Sequence, residues 1–248
     1  EKNGARPWVW SDMYWLHPES YAANMSKSVL QSNWYYNVFS PSNQDKTAIK
    51  TYIDLDKLGF EHIVLDFSED FKKYVTDDFV NSYVSGKTPN PCICCNRYIK
   101  FGKMLEYAEE NGFDYIATGH YAVKEYDEEK GRYILRRPED RSKDQTYVLY
   151  TLTQRQLEKI IFPLAAYKKN VVRSIAEEAG LINSGKPDSQ DICFVPDGKY
   201  AEFIKSRTDK GSHEGSFVDT EGNILGKHKG IINYTIGQRK GLGIALGK

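Results

Sequence analysis

The sequence predicts an α/β fold with a parallel sheet, followed by a helical segment and the start of a small β-domain. Three observations carry this prediction. Short apolar runs suited to buried strands alternate with amphipathic segments of helical spacing. Glycines close several of the helical segments, as expected of helix C-caps. After about residue 205 the pattern changes to short strand-like runs separated by glycines.

The predicted elements follow one another along most of the chain. They are helices over 20–31, 46–58, 71–83, 98–108, 152–160 and 167–179, strands over 62–68, 114–123 and 133–137, and two strands around a turn at 221–223. Residues 231–247 are glycine-rich and strand-like. We therefore expect an atypical segment over 1–45, an α/β domain over 46–150, a helical segment carrying the second cysteine over 151–205, and a partial β-barrel over 206–248.

The composition narrows the functional class. Lys plus Arg and Asp plus Glu number 34 each in 248 residues, so the chain as a whole lacks the net positive charge typical of nucleic-acid-binding proteins. A local basic patch that binds nucleic acid is not excluded. No apolar run is long enough to span a bilayer, and the start lacks a signal-peptide pattern. We expect a cytoplasmic protein without membrane contact, in which the four cysteines are mostly reduced.

Three of the four cysteines, Cys92, Cys94 and Cys95, lie within one short run, and Cys193 is distant in sequence. Zinc binding is one interpretation, but three ligands from one tight run crowd a tetrahedron, and no second C-x-x-C pair or histidine pair accompanies them. Packing as a small apolar residue is the interpretation we favour for Cys94. No tightly bound metal is expected.

Cys95 has a different setting, because a proline-rich turn precedes it and a helix is predicted to begin near Asn96. The start of a helix stabilises a thiolate, and Arg97 and Lys100 add positive charge. A thiolate at this point would be a nucleophile. Cys193 would be interpreted as structural unless the fold brings it to Cys95, in which case the two thiols could pass sulfur between them and close a disulfide.

Five motifs resemble those of the tRNA-specific 2-thiouridylases, in the same order and spacing, over residues 50–248. They are TPNPCICCNRYIKFG (88–102), ATGHYA (117–122), KDQTYVL (143–149), KPDSQDICF (186–194) and YTIGQRKGLGI (234–244). The resemblance implies that residues 46–150 are the nucleotide-binding and catalytic domain, of the nucleotide-hydrolase-like PP-loop ATPase type. It also implies a tRNA uridine 2-sulfurtransferase activity. ATP with Mg²⁺ would adenylate C2 of the wobble uridine, and a persulfide from a sulfur-carrier protein would supply the sulfur.

The resemblance also implies roles for individual residues. Cys95 corresponds to the nucleophilic cysteine and Cys193 to the persulfide carrier. The segment Asn90, Pro91 and Cys92 corresponds to the part that meets the flipped target base. Gly119 corresponds to a nucleotide-binding position, where the absence of a Cβ would admit phosphate or adenine. The positions corresponding to tRNA contacts are His120, Lys143, Asp144 and Gln145.

Gln238, Arg239 and Lys240 form a basic loop flanked by glycines, and solvated surface is the alternative interpretation of this loop. One feature of the resembling family is missing from the sequence. No glycine-rich SGGVDSS loop, whose backbone N–H groups would hold pyrophosphate, occurs in the 248 residues.

Three explanations of the missing loop stay open: a replaced N-terminal segment, a degenerate family member without adenylation, or an unfamiliar phosphate-binding loop. The alternative function is accordingly a protein that binds tRNA or a sulfur carrier without ATP chemistry. A zinc-binding structural domain is a third possibility.

Overall fold

A computed structural model describes residues 65–178, 192–195 and 198–244, together with three strands nearer the N-terminus. The predicted helix over 46–58 and most of the one over 20–31 lie outside the described residues. Residues Leu30–Ser32 form a strand, so the helix predicted over 20–31 is wrong at its C-terminal end. Among the described residues, no helix is both long enough and apolar enough to cross a membrane.

The described strands near the N-terminus and in the middle of the chain form a five-stranded parallel sheet. Its strands are β1 (Pro7–Trp10), β2 (Leu30–Ser32), β3 (His62–Ile63), β4 (Tyr115–Ala117) and β7 (Ile160–Ile161). Their order across the sheet is β3-β2-β1-β4-β7. The predicted parallel α/β fold is confirmed. The strand order reverses between β1 and β4, and the carboxyl ends of strands at such a point are where ligands of these sheets bind.

Apart from short 3-10 helices, the described residues form five helices. Consecutive segments make up the two longest: α1 comprises Ser68–Phe71, Lys72–Thr76 and Asp77–Val84, and α2 comprises Pro91–Cys94, Cys95–Lys103 and Met104–Glu110. The others are α3 (Gln154–Glu158), α4 (Lys169–Glu178) and α5 (Tyr200–Lys205). The glycines expected to follow α1 and α2, Gly86 and Gly112, have left-handed φ angles of 71° and 76°.

Two antiparallel hairpins accompany the sheet. The strands β5 (Val123–Asp127) and β6 (Arg132–Arg136) pair with each other, so the run predicted as one strand over 114–123 divides into β4, a loop and the start of β5. The strands β8 (Gly215–Val218) and β9 (Ile224–His228) pair around the predicted turn, where Gly222 has a φ of 90°.

The glycine-rich segment 231–244 is not a strand. Ile231–Asn233 is a short 3-10 helix, and turns follow it. Gly237, Gly241 and Gly243 all have φ angles between 72° and 81°, which extended strands do not adopt. The strand-like prediction for this segment was wrong because its apolar residues alternate with glycines that turn the chain.

The chain divides into two compact units. The sheet unit consists of Glu1–Ser68 and Asn96–Asp188, and one of its cores joins α2 to β4 through Met104, Leu105 and Ile116. The cysteine unit consists of Glu69–Cys95 and Ser189–Lys248. Its core packs α1 against α5 and the 3-10 helix, and its buried members are Phe79, Val80, Tyr83, Val195, Ile204 and Ile232.

Candidate functional site

Gly119 follows the carboxyl end of β4, next to the point where the strand order of the sheet reverses. It is exposed, and a Cβ built at this position would have only the Leu164 Cδ1 atom within 4 Å, at 3.8 Å. The backbone at Gly119 is therefore open to an incoming group. This position fits the expectation of nucleotide binding near Gly119, which stays a prediction.

His120 lies next to Gly119, but its side chain is only 7% exposed. Its Nδ1 lies 2.9 Å from the Thr118 hydroxyl, and its ring packs against Phe101 and Phe162. Burial, followed by the positive charge of Lys100, lowers the pKa of His120 to about 3. The imidazole is therefore neutral at physiological pH, and the geometry favours a packing role over a direct phosphate contact.

Gln145 joins two of the sequence motifs inside the sheet unit. Its Oε1 accepts a hydrogen bond of 2.9 Å from the Tyr121 N–H, and its own N–H donates to the Tyr121 carbonyl at 3.0 Å. Tyr121 is 4% exposed, so these are bonds to a buried stretch of backbone. Gln145 thus ties the loop after β4 to the segment 143–149.

Asp144 is also engaged within the chain. It accepts hydrogen bonds from the Thr146 N–H at 3.0 Å and the Thr146 hydroxyl at 2.6 Å, and it pairs with Arg137 Nε at 2.6 Å. Desolvation raises its pKa, but the bonds from Thr146 and the Arg137 charge outweigh it and hold the pKa of Asp144 below its usual range. Lys143, which ends a 3-10 turn, is half-buried.

Asn96 is a polar residue of this region that sequence reasoning missed. It is 2% exposed on α2, and its Nδ2 donates to the Val148 carbonyl at 3.2 Å. Within the described residues, its buried Oδ1 has no hydrogen-bond partner. The signal in the sequence was a polar residue on the otherwise apolar face formed by Ile99 and Leu105. Asn96 anchors the turn that follows Gln145.

The TPNP segment builds the start of α2 in the cysteine unit. Asn90 is the N-cap, with its side chain accepting from the Cys92 N–H at 3.1 Å, and Pro91 occupies the first helical position. Asn90 and Cys92 are exposed while Pro91 is buried. Two of the three residues predicted to meet the target base are therefore accessible from solvent.

Cys95 does not open the helix, as the sequence suggested. The helix begins at Pro91, and the Cys95 N–H donates to the Pro91 and Cys92 carbonyls. The N–H groups that could stabilise an anion at the helix start belong to Cys92 and Ile93, which bond Asn90 instead. The Cys95 side chain is only 7% exposed. The argument from the helix start fails because the Asn90 cap moves the helix start back to Pro91.

Cys193 is exposed, and the two residues that follow it are anchored. The Phe194 ring lies 5.6 Å from Phe71, 5.4 Å from Phe79 and 5.3 Å from Phe203 between centroids. Val195 has no exposed surface. The exposed thiol is thus attached to a fixed point of the cysteine unit.

Helix α1 contacts both cysteine segments. Its residues Lys72–Thr76 contact Pro91–Cys94, and Asp78 Oδ2 lies 3.5 Å from Cys94 Sγ. Phe71 and Phe79 of the same helix hold Phe194. Two cysteine motifs that are far apart in sequence are therefore held by one helix of one unit. Among the described residues, no group of three His, Cys, Asp or Glu side chains lies close enough together to hold a metal.

Comparison with known families agrees with these motifs. The family model described as the tRNA methyl transferase HUP domain matches residues 22–197. The chain belongs to this family. The model described as the tRNA methyl transferase PRC-barrel domain matches residues 201–248, which agrees with the expected start of a β-barrel.

Curated relatives carry the name of the family that the motifs resemble. The chain is 57% identical over 193 residues to tRNA-specific 2-thiouridylase MnmA 1 of Thermoanaerobacter sp. (strain X514), covering 78% of this chain and 53% of the relative. It is 55% identical over 193 residues to tRNA-specific 2-thiouridylase MnmA of Clostridioides difficile (strain 630), covering 78% and 54%. The resemblance is confirmed, and the chain spans about half the length of the curated relatives it matches.

Proposed function

We propose that this chain carries the catalytic part of an ATP-dependent tRNA uridine 2-sulfurtransferase, with Cys193 as the persulfide carrier and Cys95 as its partner thiol. The observation that carries the proposal is the common attachment of both cysteine segments to α1. Phe71 and Phe79 pack on Phe194, and Lys72–Thr76 contacts the start of α2. The names of the relatives supply the substrate class.

The difference in exposure between the two thiols suits different roles for Cys193 and Cys95 in sulfur transfer. A persulfide carrier receives sulfur from another protein, so its thiol must be reachable, and Cys193 is exposed. The partner thiol acts only after the substrate has entered, so it gains from being shielded, and Cys95 is 7% exposed. The anchors at Phe194 and Val195 limit how far Cys193 can move.

The proposed chemistry balances with ATP, one persulfide and one dithiol reductant per cycle. ATP transfers AMP to the C2 oxygen of the uridine and releases pyrophosphate, which makes that oxygen a leaving group. The terminal sulfur of the Cys193 persulfide attacks C2, and AMP leaves with the electron pair of the C–O bond. The Cys95 thiolate then attacks the Cys193 sulfur, which leaves the second sulfur on C2 and closes a Cys95–Cys193 disulfide. A dithiol reductant restores both thiols for the next cycle.

Gly119 is the residue proposed to lie against the nucleotide. Its place after β4, at the reversal of strand order, and the open space at its missing Cβ support this assignment. Asn90 and Cys92, exposed at the start of α2, are proposed to meet the target base. Lys143 is the proposed phosphate contact of the segment 143–145, because it is the only cationic residue of the three and phosphate oxygens bind cations.

The test is single-turnover thiolation of a wobble-uridine tRNA by persulfide-loaded protein with ATP. Cys193→Ser removes the sulfur carrier, so 2-thiouridine formation should fall at least about a thousandfold. Cys95→Ser should stop the reaction at a tRNA joined to Cys193, visible as a band that thiol reductant releases. Cys94→Ser is the matched control in the same helix and should thiolate at the wild-type rate.

Thiolation by Cys95→Ser at the wild-type rate would remove Cys95 from the mechanism. A second measurement separates the enzyme from its alternative. Pyrophosphate release in the presence of tRNA, with sulfur donor left out, would support adenylation by this chain. Binding of tRNA without pyrophosphate release would favour the alternative, a family member that binds tRNA without ATP chemistry.

A further inference from the structure

The basic loop near the C-terminus ends in an exposed apolar side chain beside two cations. In this loop, here the QRK loop (residues 234–241), Ile236 is 72% exposed and is among the most exposed large apolar side chains described. Arg239 and Lys240 are exposed as well. A single exposed aliphatic side chain is ordinary on a protein surface, so the exposure of Ile236 carries meaning only through the fixed backbone and the cations beside it.

Hydrogen bonds within the loop hold its backbone in one conformation. The Gln238 N–H donates to the Thr235 carbonyl at 3.0 Å, and Gln238 Oε1 accepts from the Thr235 N–H at 3.0 Å. Gln238 Nε2 donates to the Lys240 carbonyl at 2.9 Å. One glutamine side chain thus closes the loop on both sides. Ile236 is held outward by a fixed backbone.

The base of the loop is fixed in the cysteine unit. The Tyr234 ring packs at 5.1 Å from Phe217, and Ile232 has no exposed surface. The neighbouring Asn233 carbonyl accepts a hydrogen bond of 3.1 Å from the Tyr200 hydroxyl. The QRK loop therefore projects from a packed core.

The loop is bonded to the TPNP segment, which lies far away in sequence. The Ile236 N–H donates to the Thr88 hydroxyl at 2.9 Å across 148 positions. Thr88 is two residues before Asn90, the cap of α2. The exposed side chains of the QRK loop therefore lie beside the segment proposed to meet the target base.

The charge of this region points to the chemistry of the partner. Residues 85–95 and 230–241 contain three basic residues, Lys87, Arg239 and Lys240, and no acidic residue, in a chain whose net charge is zero. An apolar side chain between cations suits a ligand that offers both flat apolar faces and negative charges. An RNA loop with unpaired bases offers both.

We propose that the QRK loop and Thr88–Asn90 form one RNA-binding surface, in which Ile236 packs on an unpaired base and Arg239 and Lys240 bind phosphates. Thr88 is the positioning residue that holds the loop against the TPNP segment. This inference rests on the proposed function, because it takes tRNA as the ligand of the same site.

The charge part is tested with the double variant Arg239→Ala/Lys240→Ala and the matched double variant Lys205→Ala/Lys227→Ala. The four side chains are exposed in the same unit, and both variants remove two positive charges. For the first variant we expect tRNA affinity about tenfold weaker and a salt slope, in log K against log salt, smaller by about 1.4. The control should keep the wild-type slope. Equal slopes for the two variants would overturn the proposal.

The apolar part has a matched pair in Ile236→Ala and Ile224→Ala, because the two side chains are 72% and 71% exposed. Binding of an anticodon stem-loop RNA should weaken about fivefold for the first and remain unchanged for the second. Thr88→Val should weaken binding about threefold through the lost acceptor, and Thr88→Ser, which retains the hydroxyl, should restore it.

The outcomes separate this proposal from the proposed function. Wild-type protein that binds no tRNA would end both. Wild-type protein that binds tRNA while all QRK-loop variants bind equally well would end this proposal alone. Binding of the stem-loop RNA that depends on Ile236 and Arg239, without any thiolation, would support this surface and end the enzyme assignment. If the QRK-loop variants bound RNA as the wild type does but no longer received sulfur from a donor protein, the loop would be a protein-binding surface. This result would overturn the RNA assignment.

Discussion

The two units use their motif residues in opposite ways. In the sheet unit, Gln145 and Asp144 are bonded to the backbone and to Arg137, and the His120 ring is buried. In the cysteine unit, Cys193 and Ile236 are exposed on segments whose neighbours are anchored. Motif membership alone does not separate these two uses.

The difference teaches which residues of a motif can touch a ligand directly. A side chain whose hydrogen-bonding atoms are already used inside the chain shapes a loop, and breaking those bonds has a cost in stability. An exposed side chain on a fixed backbone has little effect on stability and is available to a partner. Mutations of packed or internally bonded residues should therefore change stability, and mutations of exposed residues on a fixed backbone should change binding.

The largest effect on stability is expected at Phe194, the anchored neighbour of the exposed Cys193. Phe194→Ala removes a ring that packs on Phe71, Phe79 and Phe203, and should lower the free energy of unfolding by about 3 kcal/mol. It should also slow transfer of sulfur from Cys193, because the cysteine loses its anchor. Urea unfolding and single-turnover thiolation measure the two effects. Phe194→Leu, which keeps much of the apolar volume, should recover most of both; transfer at the wild-type rate in Phe194→Ala would show that the anchor is dispensable.

A pH-dependent effect is expected next, at His120. Its pKa is lowered from 6.5 to about 3, so between these values the unfolded chain binds a proton that the folded chain does not. Stability contributed by this residue is therefore lost as pH falls below about 6.5, by roughly 2 kcal/mol between pH 7 and pH 5. His120→Gln cannot titrate and should flatten this part of the stability profile in urea unfolding. A variant profile parallel to that of the wild type would contradict a buried neutral imidazole.

A smaller effect is expected at Gln145. Gln145→Ala leaves the buried Tyr121 N–H without its acceptor and should lower the free energy of unfolding by about 1.5 kcal/mol. Gln145→Glu keeps an acceptor oxygen and is the matched control. Lys143→Ala should instead weaken tRNA binding with little change in stability. If Gln145→Ala were as stable as the wild type and bound tRNA poorly, Gln145 would belong with the direct contacts.

The smallest effect is expected at the Arg137–Asp144 ion pair. The Arg137 side chain is 58% exposed, so Arg137→Ala should change the free energy of unfolding by only about 0.5 kcal/mol. Arg137→Lys keeps the charge without the guanidinium geometry, so its free energy of unfolding should lie between those of the wild type and Arg137→Ala. Thermal unfolding at low and high salt checks this, since the contribution should shrink as salt screens it. A loss several times larger would mean that Asp144 depends on Arg137 to hold the 143–149 turn.

The sequence predicted the fold class because periodicity and glycines report local structure directly. The helices with Phe79 and Leu105, and the turn at Gly222, lie where the apolar spacing and the glycine predicted them. The start of α2 was misplaced because the capping bond, which the Cys92 N–H donates to the Asn90 side chain, depends on a side-chain geometry that spacing does not reveal. Strand β5 was missed because a strand in a two-stranded hairpin carries little apolar signal.

The candidate site, like the fold, was determined partly by the sequence and partly by the tertiary structure. The sequence by itself determined which residue types are present for sulfur chemistry, Cys95 and Cys193, and the family to which the chain belongs. Only the tertiary structure decided that one helix holds both cysteine segments, that Gln145 is bonded inside the chain, and that Thr88 meets Ile236 across 148 positions. The physical reason is that residue identity and spacing fix local conformation, whereas burial and long-range hydrogen bonds exist only once distant segments pack together.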